Sequence, residues 1–295
     1  MAIPAPETQK ELGRALAPAE FLKALSTELA NGDVRLPSFP DIAQRVQRAL
    51  EDPRATPEQV ARVVGIDAAL AARILRLSNS AFLSSAKPIT ELQQAVKRLG
   101  HQMVRCSAVS FALQQMIAAG NIAALRPQLH ELWRKGTLVA SIAYVFARET
   151  RAANPDEALV AGLMHNIGSL YITVRAHQHG APSSATDDAA TRVLNNGHPR
   201  IAAAILGHWK FAPAIVSAVG NQNATDLPAS GAGPLTDLLI VSISLVPCVF
   251  YRALLDETVS GVAAFQRLAL DAAECKRLLS SAARQIKALQ SALAS

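Results

Sequence analysis

The stretch Ala161-Gly162-Leu163-Met164-His165-Asn166-Ile167-Gly168 carries the residue pair most suggestive of chemistry in this chain. An imidazole at the end of an apolar helix binds a borderline metal ion when its neighbour is a carboxylate, which adds charge and can bridge a second ion. Asn166 offers a neutral amide instead; its oxygen coordinates weakly and does not replace the missing anion. The plainer reading of His165 is a buried, hydrogen-bonded core histidine. The other histidines do little to complete a site. His177 and His179 are two apart and diverge on a helix, His208 adjoins Trp209 near a helix end, and His101 and His130 are isolated. His198, just before Pro199 at an expected helix start, is the other ligand-type residue. No Gly-rich phosphate loop, Gly-x-Ser-x-Gly elbow or nucleophilic cysteine motif occurs in the sequence, and neither a metal nor a cofactor is expected.

A second candidate lies between Thr56 and Ser80, where two short helices joined by Gly65-Ile66-Asp67 read as a helix-turn-helix. A recognition helix presents polar or basic side chains to base edges near its start. This one starts Asp67-Ala68-Ala69-Leu70-Ala71-Ala72, with Arg73 and Arg76 only later, a pattern better suited to close helix packing. The net charge of +6 is spread along the chain without a concentrated basic block, so nucleic acid is not the expected partner.

These residues must be positioned by helices. Half of the sequence is hydrophobic but only 4% is aromatic, and Ala and Leu, the strongest helix formers, dominate the apolar content. Thr56-Pro57-Glu58-Gln59 predicts a capped helix start, Asp67 caps the next helix, and Leu70, Ile74 and Leu77 form its apolar stripe. Further helices are expected over Glu7–Ala30 (stopped by Asn31-Gly32-Asp33), from Ile42 to Leu50, over Thr90–Leu99 (closed by Gly100) and from about His101. Others are expected over Leu129–Ala147, Asp156–Ala176, Ala185–Asn195, Pro199–His208 and Pro213–Val219, with more from Pro234 onward. Asn221–Gly233 reads as a loop, and Leu238–Tyr251, too short to span a bilayer, as a buried core helix containing Pro247. Cys106, Cys248 and Cys275 are far apart and odd in number, which suggests reduced thiols in a cytoplasm; the N-terminus lacks a signal-peptide pattern.

Taken in order, the motifs resemble the HDOD family, a branch of the HD superfamily found in bacterial signalling proteins. Leu36-Pro37-Ser38-Phe39-Pro40 is similar to the family's opening, and Asp67 through Asn79-Ser80-Ala81 to its most specific motif. Ile89-Thr90 through Ala95-Val96-Lys97-Arg98-Leu99-Gly100, then Leu132-Trp133 and Ala161–His165, follow. Relative to catalytic HD-GYP relatives, the resemblance implies that Lys135 stands at the first metal-binding His and Asn166 at the Asp of the His-Asp pair. Ser169 stands at a Lys, and Gln222-Asn223 at a His-His pair; only His165 and His198 keep ligand-type residues.

The fold expected is all-α: a small N-terminal helical subdomain on an HD-like bundle, with a C-terminal helical extension. The divisions are 1–35, 36–223 and 224–295. The resemblance implies a non-catalytic signal-transduction module acting through protein–protein contact, with signalling proteins as partners and self-association into a homo-oligomer left open. Asp67, Asn79 and Ser80 are then structural, Asn79 tying the end of its helix to neighbouring backbone. The alternatives are a divergent metal-dependent phosphohydrolase acting on a nucleotide or cyclic dinucleotide, and a helix-turn-helix DNA-binding regulator.

Overall fold

Start signals in the sequence are answered by hydrogen bonds in the structure, a computed structural model that describes Thr27 and residues 41–52, 54–80, 88–119, 125–178, 188–224 and 233–294. Apart from Thr27, which is helical, the expected segments Glu7–Ala30, Asn31–Asp33 and Leu36–Pro40 lie outside the described residues. Helix α1 (Asp41–Glu51) buries Ile42, Val46 and Leu50. Helix α2 (Pro57–Val64) opens on a complete capping box: Gln59 N–H donates to Thr56 Oγ1 at 3.3 Å and Thr56 N–H to Gln59 Oε1 at 2.8 Å. Helix α3 (Ala68–Ser78) is capped by Asp67, whose Oδ1 accepts from the N–H groups of Ala69 and Leu70 at 2.9 Å each. Its buried stripe is Leu70, Arg73, Ile74 and Leu77, while Ala68 and Ala69 are exposed. The packing is thus made by the long side chains; the small residues at the helix start face outward.

Asn79 closes the segment that follows. Its Nδ2 donates to the carbonyls of Leu75 (3.1 Å) and Ile89 (2.6 Å), and its Oδ1 accepts from Ile89 N–H at 2.7 Å. The side chain acts as a one-residue strand, pairing both backbone groups of a residue ten positions on. Ser80 Oγ donates to Leu77 O at 2.8 Å and completes the helix end. Asn79→Leu is expected to lower the melting temperature, by about 1–3 kcal/mol in stability, because the polar groups of Ile89 lose their partner. An unchanged melting curve would count against this role.

Helix α4 (Leu92–Ala119) is two helical stretches meeting at Gly100, which has φ 71° and ψ 167° and so favours glycine. Helix α5 (Arg126–Thr150) is the hub. It packs against α6 (Pro155–Met164), α7 (Ile167–Gln178) and α4, and against four helices of the C-terminal part. Helices α8 (Asp188–His208) and α9 (Pro213–Gly220) complete the bundle, α8 lying on α7 and α9 on α6.

Two boundaries differ from the sequence reading. The helix expected over Asp156–Ala176 is broken at His165-Asn166, and the helices expected around Pro199 are one, with Pro199 inside it. A Cβ at Gly162 would lie 2.5 Å from Ala140 Cα on α5, and one at Gly168 would lie 2.0 Å from His198 O on α8. The chain turns between these two close approaches, and the turn holds His165 and Asn166. Pro199 costs α8 a hydrogen bond, but His198, Pro199, Ile201, Ala202 and Ile205 are all buried around it, so packing overrides the local preference.

The C-terminal part comprises α10 (Pro234–Ser244), α11 (Val246–Phe250), α12 (Leu255–Gly261), α13 (Ala263–Arg267), α14 (Ala272–Ser281) and α15 (Ala283–Ala294). It is no appendage: α10 packs on α5, α6 and α9, and α15 runs along α5 and reaches α3. The expected buried helix Leu238–Tyr251 ends early. Leu238 to Val241 are buried, but Phe250 and Tyr251 are 58% and 68% exposed beyond the interruption at Leu245. One hydrophobic core runs from Ile42 to Leu289 through the short N-terminal helices, the bundle and the C-terminal part. Arg105 on α4 fastens them further, donating to Leu50 O at the end of α1 (3.1 Å) and to Lys210 O between α8 and α9, with Phe211 5.5 Å beneath its guanidinium. Among the described residues there are helices and no strands, and no helix is long and apolar enough to cross a membrane.

Candidate functional site

Around the break between α6 and α7 the structure gathers side chains from four helices. His165 ends α6 and Asn166 follows it, Lys135 comes from α5, His198 from α8 and Gln222 from the turn after α9. His165, Asn166, His198 and Gln222 are buried, whereas Lys135 and Asn223 are exposed. Of the six positions singled out in the sequence, Asn223 is on the outer side of its turn.

His165 Nδ1 lies 2.6 Å from Gly162 O. A carbonyl only accepts, so Nδ1 carries the proton and the lone pair of Nε2 points away from the helix. Burial pushes the His165 imidazole down to about 3, against a partial upward pull from Gly162 O; the charges of Lys135 and His198 push further down. Burial likewise lowers His198 to about 4, again with Lys135 contributing. Both rings are neutral at pH 7. His165 Nε2, His198 Nδ1 and Trp133 Nε1 are buried without a hydrogen-bond partner among the described residues.

The two amides are used differently from metal ligands. Asn166 Nδ2 donates to Leu132 O on α5 at 3.3 Å. Gln222 Nε2 donates to His165 O at 3.0 Å and to Val219 O at 2.8 Å. Each holds a backbone carbonyl by a nitrogen, the atom that cannot coordinate a cation. The dinuclear metal centre implied by the HD relationship does not fit these residues. It needs carboxylates and several imidazoles, and the site presents one ammonium, two donating amides and two imidazoles. Among the described residues no three His, Cys, Asp or Glu side chains are grouped to hold a metal ion.

The sequence did not reveal what surrounds the site. Leu132, Trp133, Leu163, Met164, Asn166, Ile167 and Leu170 line a small apolar hollow, open to solvent. Arg73, from the N-terminal motif helix, lies 5.9 Å over the Trp133 ring and donates to Gln114 Oε1 at 2.5 Å. Burial lowers its pKa to about 10. The available signal was the position of Arg73 inside the spacing of Leu70, Ile74 and Leu77, on the face that must be buried.

Fold and site define a helical module of the HD type. The HDOD domain profile matches residues 36–225, and the chain belongs to that family. A crystal structure from Shewanella amazonensis SB2B, provisionally named a metal-dependent phosphohydrolase, is 25% identical, with TM-score 0.69 over 94% of this chain and 99% of that one. An HDOD domain protein of unknown function from Geobacter sulfurreducens is 23% identical, with TM-score 0.61 over 93% and 98% of the two chains, and shares the fold. An uncharacterized protein of Treponema pallidum (strain Nichols) is 23% identical over 208 residues, 66% of this chain. The match spans only 39% of that protein's length.

Proposed function

We propose that this chain is a non-catalytic regulatory module that acts through protein–protein contact, the HD scaffold being kept and its hydrolytic centre lost. The observation that carries the reading is the donor set at the site. Where a dinuclear centre needs carboxylates and further imidazoles, the site has two neutral amides, whose N–H groups are committed to Leu132 O, His165 O and Val219 O. Without a metal there is no activated water and no counter-charge for a phosphoryl group. The DNA-binding alternative is disfavoured by α3, where Arg73 is buried against Trp133 and the exposed start is Ala68-Ala69. A family found in signalling proteins, and a site that lacks the donors of a dinuclear metal centre, support contact with other proteins as the means of action.

Turnover decides between this reading and the phosphohydrolase alternative. The purified chain is expected to be inert toward cyclic dinucleotides and simple phosphate esters with added manganese or iron. The same holds for Asn166→Asp, which restores one carboxylate and leaves Lys135 and Gln222 in place. Metal-dependent hydrolysis by the unaltered chain that vanishes in His165→Ala would overturn the non-catalytic reading.

A further inference from the structure

Beyond the interruption at Leu245 the chain makes an elbow of α11, a single 3-10 turn (Arg252–Leu254) and α12. Its inner side is anchored. Leu245, Cys248 and Leu255 are buried, Cys248 Sγ lies 3.4 Å from Thr258 Oγ1, and Thr258 Oγ1 donates to Leu254 O at 2.8 Å. Tyr251 N–H donates to Pro247 O at 2.9 Å, and Leu254 N–H to Tyr251 O at 3.1 Å. On the outer side Phe250, Tyr251 and Leu254 are exposed, together with Pro247 and Ala253. Among the described residues, Ile66 is the one other large hydrophobic side chain so exposed. Apolar surface gathered in this way marks a contact. Its rim is charged with both signs: Arg252, Asp256 and Glu257 are exposed, and none of them has an ion pair among the described residues. No lysine occurs between Lys210 and Lys276. Aromatic residues with arginine and without lysine have the make-up of a protein–protein interface.

We infer that this elbow is the interface between two copies of the chain. Phe250, Tyr251 and Leu254 of each copy pack on those of the other about a two-fold axis, with Arg252 opposite the partner's Asp256 and Glu257. The charges select the occupant. One cation and two anions on the same rim supply both halves of an ion pair, and a two-fold axis makes that pairing twice. A lipid surface fits less well, because a rim with more acid than base is repelled by anionic headgroups. The anchored backbone holds the aromatic side chains in place before contact, which lowers the ordering cost of association. The inference stands on this surface alone and is independent of the non-catalytic reading.

The experiment is sedimentation of the full chain in the ultracentrifuge from about 1 to 200 µM, a range that brackets a modest interface. The unaltered chain is expected to pass from monomer to dimer. Tyr251→Glu should weaken association about thirtyfold or more, by placing a charge at the apolar centre. Arg252→Glu should be monomeric, because it sets like charges against each other, and so should Asp256→Arg combined with Glu257→Arg. Mixed in equal amounts, these two monomeric variants should form a one-to-one dimer, because each again meets the opposite charge. That recovery cannot come from a folding defect. A chain that stays monomeric throughout the range would overturn the inference, and so would a dimer indifferent to all of these substitutions. Monomeric chain that sediments with phosphatidylcholine vesicles and loses this in Tyr251→Glu would assign the patch to lipid instead.

Discussion

Acidification from pH 6.5 to pH 4 is expected to destabilise this chain steeply, and more than half of that loss is expected to come from His165 and His198. Both imidazoles sit below the ordinary histidine value of 6.5, at about 3 and about 4, mainly because burial disfavours the charged ring. A depressed folded-state value means that the unfolded chain takes up protons first. Between pH 6.5 and pH 4 the unfolded state therefore gains protons that the folded state refuses, and stability falls with pH. Well above pH 6.5, near pH 8, neither state is protonated and the contribution is flat. Each unit of depression corresponds to about 1.4 kcal/mol, so the two rings together withdraw on the order of 5 kcal/mol by pH 4. The measurement is melting temperature against pH for the unaltered chain and for His165→Gln combined with His198→Gln. The double substitution is expected to flatten the slope between pH 6.5 and 4.5, whatever it does to stability at pH 8. Parallel slopes would show that these rings do not titrate as their burial requires.

Asp237→Ala is expected to cost about 3 kcal/mol or more, because it leaves a guanidinium in the interior without its carboxylate. Arg267 Nε and a terminal nitrogen both donate to Asp237 Oδ1, at 2.9 and 2.6 Å, and the two side chains are only 14% and 7% exposed. The pair joins α13 to α10, and α10 packs on α5, α6 and α9, so its loss loosens the C-terminal helices from the bundle. Replacing both partners, Asp237→Leu with Arg267→Met, removes the buried charges together and should recover most of the stability. Denaturant unfolding followed by circular dichroism gives both numbers. A single substitution that leaves the midpoint unchanged would show that the pair carries no weight.

Much of this was legible beforehand. Thr56 with Gln59, and Asp67, announce helix starts through side chains that satisfy orphan N–H groups, and local chemistry is enough to read them. Asn79 was legible as a tie, though its partner, Ile89, was not. That Lys135, Asn166 and Gln222 offer neither a carboxylate nor an imidazole is likewise a matter of residue type and needs no fold. The order of motifs sufficed to indicate the family that the profile match over residues 36–225 then showed.

What the tertiary structure decided is where long-range packing outweighs local preference. Pro199 suggests a boundary, yet α8 runs through it because the residues on either side are buried together. Asp156–Ala176 has the apolar content of one helix, yet Gly162 and Gly168 press on different neighbours and the chain turns at His165-Asn166. Arg73 falls on the face of its helix that must be buried, but the partner that comes to lie beneath it, Trp133, is sixty residues away in sequence. The sequence by itself determined which atoms were present to bind or donate. That the Asn166 and Gln222 amides commit their nitrogens to backbone depended on the carbonyls of Leu132 and His165, which only the fold brings near, and a buried polar group takes the orientation that satisfies it.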